Sequence, residues 1–268
     1  MLNSRRGSSP VITSVVLTGI MLSILYISLF ISDSIIEYHA QATEYENAKR
    51  LLIYTADAIE QIALGSGGAK YVRFNLRTTR LDFVRDYKDK IVVKVNDIEV
   101  LHDKPDALMV KGGSLLSSAS LRVLYPEGVV DYTSELKRYV VMAGEPITLV
   151  YETFDKGAVT ILTCKRVRIS YLGIYSILVN GTLKRYSSFE ISYINMTMGV
   201  TSGSSTISVV IRNIGLSLRE YYINGSEVTI TVYVNGEVSF QNVYSADNEV
   251  NGILVLVKVA NIEVSTLG

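Results

Sequence analysis

Residues 11–31 read VITSVVLTGIMLSILYISLFI, and no charged residue occurs between Gly7 and Ser32. About 20 apolar residues in helical form match the ~30 Å hydrocarbon thickness of a bilayer. A secretory signal has an apolar core of only ~7–15 residues, followed closely by a small-x-small cleavage site. The best such site here, Ala40-Gln41-Ala42, lies well beyond the apolar run. The stretch therefore predicts a membrane-spanning helix that is retained in the protein.

The charges on either side of this run predict its orientation. Arg5 and Arg6 precede it, whereas Asp33 and Glu37 follow it. Because positive residues flank the cytoplasmic end of a membrane helix, we expect the N-terminus inside. The chain would then be a single-pass protein of the cell membrane with its C-terminal head outside.

Residues 33–64 contain no Pro or Gly and carry an amphipathic pattern. Apolar side chains recur at spacings of three and four, which is one face of a helix. They are Tyr38, Ala42, Tyr45, Ala48, Leu52, Ala56, Ile59 and Ala63. The sequence GSGG at residues 65–68 then ends the helix. We predict one transmembrane and stalk helix over residues 8–64.

The segment before the apolar run reads RRGSSPVI at residues 5–12. It resembles the class III signal of archaeal type IV pilin-like surface proteins. The resemblance implies that a prepilin peptidase recognises Arg5, Arg6, Gly7 and Ser8 and cuts after Gly7, which makes residues 1–7 a leader. The glutamate that bacterial pilins carry at the fifth mature position is missing, since Ile12 stands there. The alternative is a plain signal anchor with a positive flank.

Membership of that family implies a structural role. The chain would be a minor or ancillary subunit of a type IV pilus-like filament, and its partners would be membrane lipid, prepilin peptidase and other pilin subunits. Its length and its two-part head favour an ancillary over a bulk subunit. The alternative function is a bitopic anchor that displays a binding, adhesion or stator-like head without forming filaments.

After residue 68 the pattern changes to short alternating strands with turn signals, which predicts an α+β protein with a mostly antiparallel β-sandwich head. We expect one or two β units, a β-rich unit at 69–165 and an Ig-like sandwich at 166–268. Hairpin turns are predicted at Asn96-Asp97, Asn180-Gly181 and Asn235-Gly236. Residues 209–215, VVIRNIG, resemble Ig-like modules of archaeal flagellum-associated surface proteins.

The segment from Val228 to Val234 gives the clearest strand pattern. Its valine and isoleucine positions, 228, 230, 232 and 234, alternate with Thr229, Thr231 and Tyr233. Because successive side chains of a strand point to opposite faces, the first set should be buried. The change of pattern near Gly65 also predicts that residues 69–268 fold without the helix, unless the apolar stripe of that helix covers a sheet face.

Composition argues against several classes of function. Lys plus Arg and Asp plus Glu are both 26, so no basic excess favours nucleic-acid binding. Cys164 is the single cysteine, which excludes an intrachain disulfide, and two histidines cannot build a multi-histidine metal site. His102 could in principle act as a base for Cys164, but a buried structural cysteine is the preferred interpretation. We expect no enzyme activity, no cofactor and no metal.

Three acceptor sequons for N-glycosylation lie in the C-terminal part of the chain. They begin at Asn180, Asn195 and Asn224. Since this part is predicted to lie outside the membrane, each is a candidate modification site.

Overall fold

The structure, a computed structural model, describes residues 9–65, 67–116, 120–179, 181–201, 206–248 and 250–267. It confirms the α+β architecture, because a single long helix, α1 (Ser9–Leu64), precedes a head built of β-sheets. A second, short helix, α2 (Tyr132–Leu136), lies within the head.

Most strands follow one another with short connections, and the longest connection, from Tyr125 to Val140, contains α2. In chain order they are β1 (Ala69–Asn75), β2 (Arg80–Val84), β3 (Ile91–Val95), β4 (Ile98–Asp103), β5 (Ala107–Lys111), β6 (Arg122–Tyr125), β7 (Val140–Val141), β8 (Leu149–Phe154), β9 (Ala158–Thr163), β10 (Val167–Val179), β11 (Thr182–Met198), β12 (Thr206–Ile223), β13 (Glu227–Val234), β14 (Glu237–Ser245) and β15 (Gly252–Thr266).

These strands form three sheets. Sheet A has the order β1-β12-β15-β11-β10-β7, sheet B the order β2-β5-β9-β8-β6, and sheet C the order β14-β13-β3-β4. The pairing is antiparallel except for β11 with β15 and β10 with β7, which are parallel. A parallel pair needs a long connection, and the path from β11 to β15 runs through β12, β13 and β14.

Sheets A and C contain strands from both predicted β units. In sheet A, β1 pairs with β12, and in sheet C, β3 pairs with β13. The boundary that the sequence suggested between 69–165 and 166–268 therefore does not separate two sets of sheets. Pairing between strands more than a hundred residues apart leaves no local sequence signature, which is why composition and turn signals missed it.

The layers are ordered sheet C, sheet A, α1 and sheet B. One buried apolar cluster, which includes Ile191, Ile230 and Val255, joins sheets C and A. A second encloses the C-terminal half of α1 between sheet A and sheet B. A third lies on the far face of sheet B under α2. The head is thus a β-sandwich with a helix and a further sheet added on one side.

The apolar stripe of α1 is buried only from Tyr45 onward. Leu52, Ala56 and Ile59 are fully buried, whereas Tyr38 is 47% exposed. The prediction for the stripe was therefore correct for six of its eight residues; Ala42 is half-buried and Tyr38 is exposed. The head begins to cover α1 near Gln41, so the earlier apolar positions have nothing to pack on.

Two of the predicted hairpins are confirmed by their backbone geometry. Asn96 connects β3 to β4 with φ of 52°, and Asn235 and Gly236 connect β13 to β14 with φ of 53° and 89°. Positive φ at both Asn235 and Gly236 is the type I′ turn that asparagine and glycine favour, whereas in the β3–β4 turn Asn96 has positive φ and Asp97 does not. Asn180 lies outside the described residues, but β10 and β11 pair up to Val179 and Thr182 on either side of it.

The predicted faces of β13 are also confirmed, which allows a matched pair of substitutions. Ile230 is fully buried between sheets A and C, and Thr229 is only partly buried. We expect Ile230→Asp to destabilise the head by several kcal/mol, because a lone buried carboxylate is strongly unfavourable. Thr229→Asp should cost less than about 1 kcal/mol. Chemical denaturation of both variants measures the difference, and equal midpoints would contradict the assigned register.

Candidate functional site

Every residue from 11 to 40 of α1 is exposed, and we call this segment the N-terminal arm. Its large apolar side chains between Val11 and Ile36 are 51–72% exposed. Among the described residues, α1 is the one helix long and apolar enough to cross a membrane. An exposed apolar surface of this extent marks a site that contacts lipid or another protein.

Several hydroxyl side chains of the arm donate to carbonyls of their own helix. The hydroxyl of Ser14 donates to the Val11 carbonyl at 2.9 Å, that of Thr18 to Ser14 at 2.9 Å, and that of Ser23 to Gly19 at 2.9 Å. A hydroxyl bonded back to its own helix needs no outside partner. The arm can therefore enter an apolar environment without leaving these donors unpaired.

Three polar contacts fix the direction of the arm relative to the head. The Tyr45 hydroxyl lies 2.8 Å from the Thr160 hydroxyl in β9, and the Lys49 ammonium lies 3.3 Å from the Glu152 carboxylate in β8. Near the helix end, the Glu60 carboxylate accepts from the Thr148 N–H at 2.7 Å. Because these residues span four turns of one continuous helix, the arm projects from the head in a fixed direction.

Glu44 anchors the point where the arm enters the head. Its carboxylate accepts the backbone N–H groups of Arg77, Thr78 and Thr79 at 2.7, 2.9 and 2.8 Å. Burial alone raises the pKa of this carboxyl, but the donated hydrogen bonds outweigh burial and leave the pKa below its ordinary value. The charged form therefore binds the turn between β1 and β2 to α1.

Sequence reasoning missed Glu44 and Glu60 as anchors. Each lies next to a buried stripe residue, Tyr45 and Ile59 respectively. The signal in the sequence that could have indicated these anchors is a carboxylate at the border of the buried face of an amphipathic helix. It was not specific, because most such carboxylates face water.

The residues proposed for processing, Arg5, Arg6, Gly7 and Ser8, lie outside the described residues. The first described residue, Ser9, is already part of α1.

Cys164 and His102 do not form a catalytic pair. Cys164 is fully buried next to α1, with its Sγ 3.9 Å from the Met196 Sδ, and burial raises the pKa of its thiol. His102 is exposed on β4, where its Nδ1 lies 3.1 Å from the Glu99 carboxylate. In the part of the chain that the structure describes, no group of three His, Cys, Asp or Glu side chains is arranged to hold a metal ion.

Two of the three sequon asparagines have contrasting environments. Asn195 is partly buried in β11, where its Nδ2 donates to the Asn261 Oδ1 at 3.1 Å. Both side chains line an open cleft of about 520 Å³ whose walls include Glu99 and Arg219. Asn224 is exposed in the turn between β12 and β13.

We expect a glycan on Asn224 and none on Asn195, because an oligosaccharide transferase needs an accessible amide. Intact-mass measurement should show that Asn224→Gln removes one glycan mass, and that Asn195→Gln removes none. Ser226→Ala, which destroys the same sequon without touching its asparagine, is the control for Asn224. A glycopeptide carrying a sugar on Asn195 would contradict the prediction.

Comparison with known proteins adds no family to this picture: no family model, no curated protein and no solved structure matches the chain.

Proposed function

We propose that this chain is a structural, extracytoplasmic subunit of a type IV pilus-like filament, in a minor or ancillary role, and that the N-terminal arm is its assembly element. The observation that carries the proposal is the uninterrupted exposure of residues 11–40 on a helix whose other half is built into the head. The resemblance of residues 5–12 to a class III signal supports it.

The arm needs an apolar environment both before and after assembly. Before assembly, the bilayer provides it, with the N-terminus on the cytoplasmic side and the head outside. After assembly, the arms of neighbouring copies would cover one another, as apolar helices in water do by burying their surfaces together. The heads, which carry most of the charged residues, would then face the solvent.

Removal of the leader would allow the arm to move from the bilayer into the filament. Arg5 and Arg6 hold the N-terminus at the cytoplasmic surface, and moving them into hydrocarbon costs roughly 2.5–3.5 kcal/mol each on insertion scales. A cut after Gly7 by a prepilin peptidase removes both charges. The arm can then leave the bilayer for a helical bundle without carrying two hydrated guanidinium groups with it.

The N-terminal sequence of the native protein tests the proposal. Mass spectrometry of the protein purified from its own membranes or surface filaments should find a mature start at Ser8. An intact Met1 start on every molecule, with the protein confined to the membrane, would contradict it. That result would favour the bitopic anchor, whose head displays the polar cleft between Glu99 and Arg219 for binding.

A further inference from the structure

Sheet A extends past the C-terminal end of α1 on the same face that α1 covers. Leu216 of β12 pairs with Ala260 of β15, and Ala260 lies in the core beneath the helix. Directly paired residues share a face, and every second residue along a strand returns to it. Leu218 and Tyr222 therefore lie on the helix side of the sheet.

The end of α1 can be located on this face by two contacts. The Asn213 Nδ2 donates to the Ile62 carbonyl at 3.2 Å, and the Arg168 Nη2 lies 3.3 Å from the Glu60 carboxylate. Among the described residues, no helix lies above the sheet rows beyond these contacts. On β12, Leu216 and Leu218 are also left exposed, although they lie in the rows of Ala260 and Arg168. We call these rows the distal platform. It comprises the helix-side residues of β12 from Leu216 to Tyr222, of β15 from Leu254 to Lys258 and of β11 from Lys184 to Glu190, together with Tyr175 of β10.

The platform exposes large apolar side chains in one area. Leu216 and Leu218 are each 56% exposed, Tyr175 is 52% and Tyr222 is 47%. The ring of Tyr222 packs edge-on against that of Tyr186 at 5.4 Å. Its charged members are two lysines and two glutamates, so no net charge opposes an apolar partner. Leu254 and Tyr186, on the two strands between β12 and β10, are only 2% and 5% exposed, so the exposed apolar side chains lie along β12 and on β10. Exposed apolar side chains gathered in this way mark an interaction surface.

Neither the bilayer nor the chain's own arm can cover the platform. α1 is one continuous helix, so its arm leads away from the platform. From Ile31 at the end of the apolar run to Leu64 the helix rises about 50 Å. A membrane that holds the arm is therefore that far from the platform, and the occupant must be another molecule.

We infer that the occupant is the N-terminal arm of a second copy of this chain, displaced along the helix axis. The platform continues the surface on which α1 already packs. β1 and β7 do not extend along it, so a helix lying in line with α1 meets the four central strands β12, β15, β11 and β10. Leu216 to Ile223 span about 23 Å, which matches roughly four turns of helix. The inference rests on the proposed filament function, because it supplies one contact by which successive copies stack.

A pair of surface substitutions tests whether the platform is needed for assembly. Leu218→Glu places a charge in the inferred interface, and Val238→Glu places one on β14 in sheet C, where the side chain is similarly exposed at 55%. We expect Leu218→Glu to lower the yield of sedimentable filaments at least about tenfold, and Val238→Glu to leave it unchanged. Both variants should melt at the wild-type temperature.

Cysteine crosslinking tests the identity of the occupant. Cys164 is the only cysteine and is buried, so introduced cysteines report without interference. Leu218→Cys is combined in turn with Ile20→Cys, Ile24→Cys and Ile27→Cys on one face of the arm. At least one combination should give a ladder of disulfide-linked oligomers in filaments. The same arm positions combined with Val238→Cys should give none.

The outcomes separate this inference from the proposed function. Processed wild-type filaments together with normal assembly of Leu218→Glu would overturn the inference and leave the function standing. Loss of assembly without any arm crosslink would show that another part of the neighbour covers the platform, which also overturns it. An unprocessed wild-type protein that never assembles would refute both.

Discussion

A fragment of residues 69–268 is expected to be unfolded or aggregated, whereas a fragment of residues 41–268 is expected to fold as a soluble head. The stripe of α1 forms the centre of the core between sheets A and B. Burying Tyr45, Leu52, Ile59 and Ile62 contributes roughly 6–12 kcal/mol, which is comparable to the whole stability of a typical domain. Circular dichroism and gel filtration of the two fragments measure the difference.

A substitution pair within the 41–268 fragment controls for the effect of truncation. Leu52 is fully buried and Tyr54, two residues on, is 53% exposed. Leu52→Asp should unfold the head, and Tyr54→Asp should shift its melting temperature by only a few degrees. A cooperatively folded 69–268 fragment would show that the helix is an accessory to the head rather than part of its core.

Gly7→Val is expected to leave the full-length protein uncut in the membrane and to abolish assembly. A β-branched side chain is stiff and crowds the backbone, so it disfavours the close, extended approach that a glycine permits in a protease cleft. The head lies far along the chain from this position and should fold normally. Mass spectrometry and electron microscopy of the variant provide the two readouts.

Gly19→Val is the matched control for the processing step. Gly19 lies in the arm, and a Cβ built there meets no heavy atom within 4 Å. This variant should be cut as efficiently as wild type. Efficient cutting of Gly7→Val, or loss of cutting in Gly19→Val, would contradict the assignment of Gly7 as the processing site.

The features that could be predicted from the sequence are those determined by neighbouring residues. The apolar run at 11–31, the stripe from Tyr45 to Ala63 and the turn at Asn235-Gly236 each depend on spacings of a few residues. The alternation around Ile230 likewise gave the correct buried face of β13. Periodicity and turn chemistry are local properties, and they were sufficient for these elements.

The features that could not be predicted depend on long-range pairing. Nothing near β1 indicates that it pairs with β12, or that β11 pairs in parallel with β15. For the same reason, the sequence did not predict that the main core is formed by α1 packed between sheets A and B. The distal platform could not be predicted either. Leu218 is seen to be exposed only in the folded structure, which shows where α1 ends above sheet A.

The continuous helix α1 also has a mechanical consequence. Tension applied to the arm pulls α1 along its own axis, through the space between sheets A and B. The side chains from Tyr45 to Ala63 then resist as one set in shear, since sliding the helix displaces all of them together. A load directed across the helix would instead separate these contacts one turn at a time. The head is therefore built to withstand force in the direction in which the arm projects.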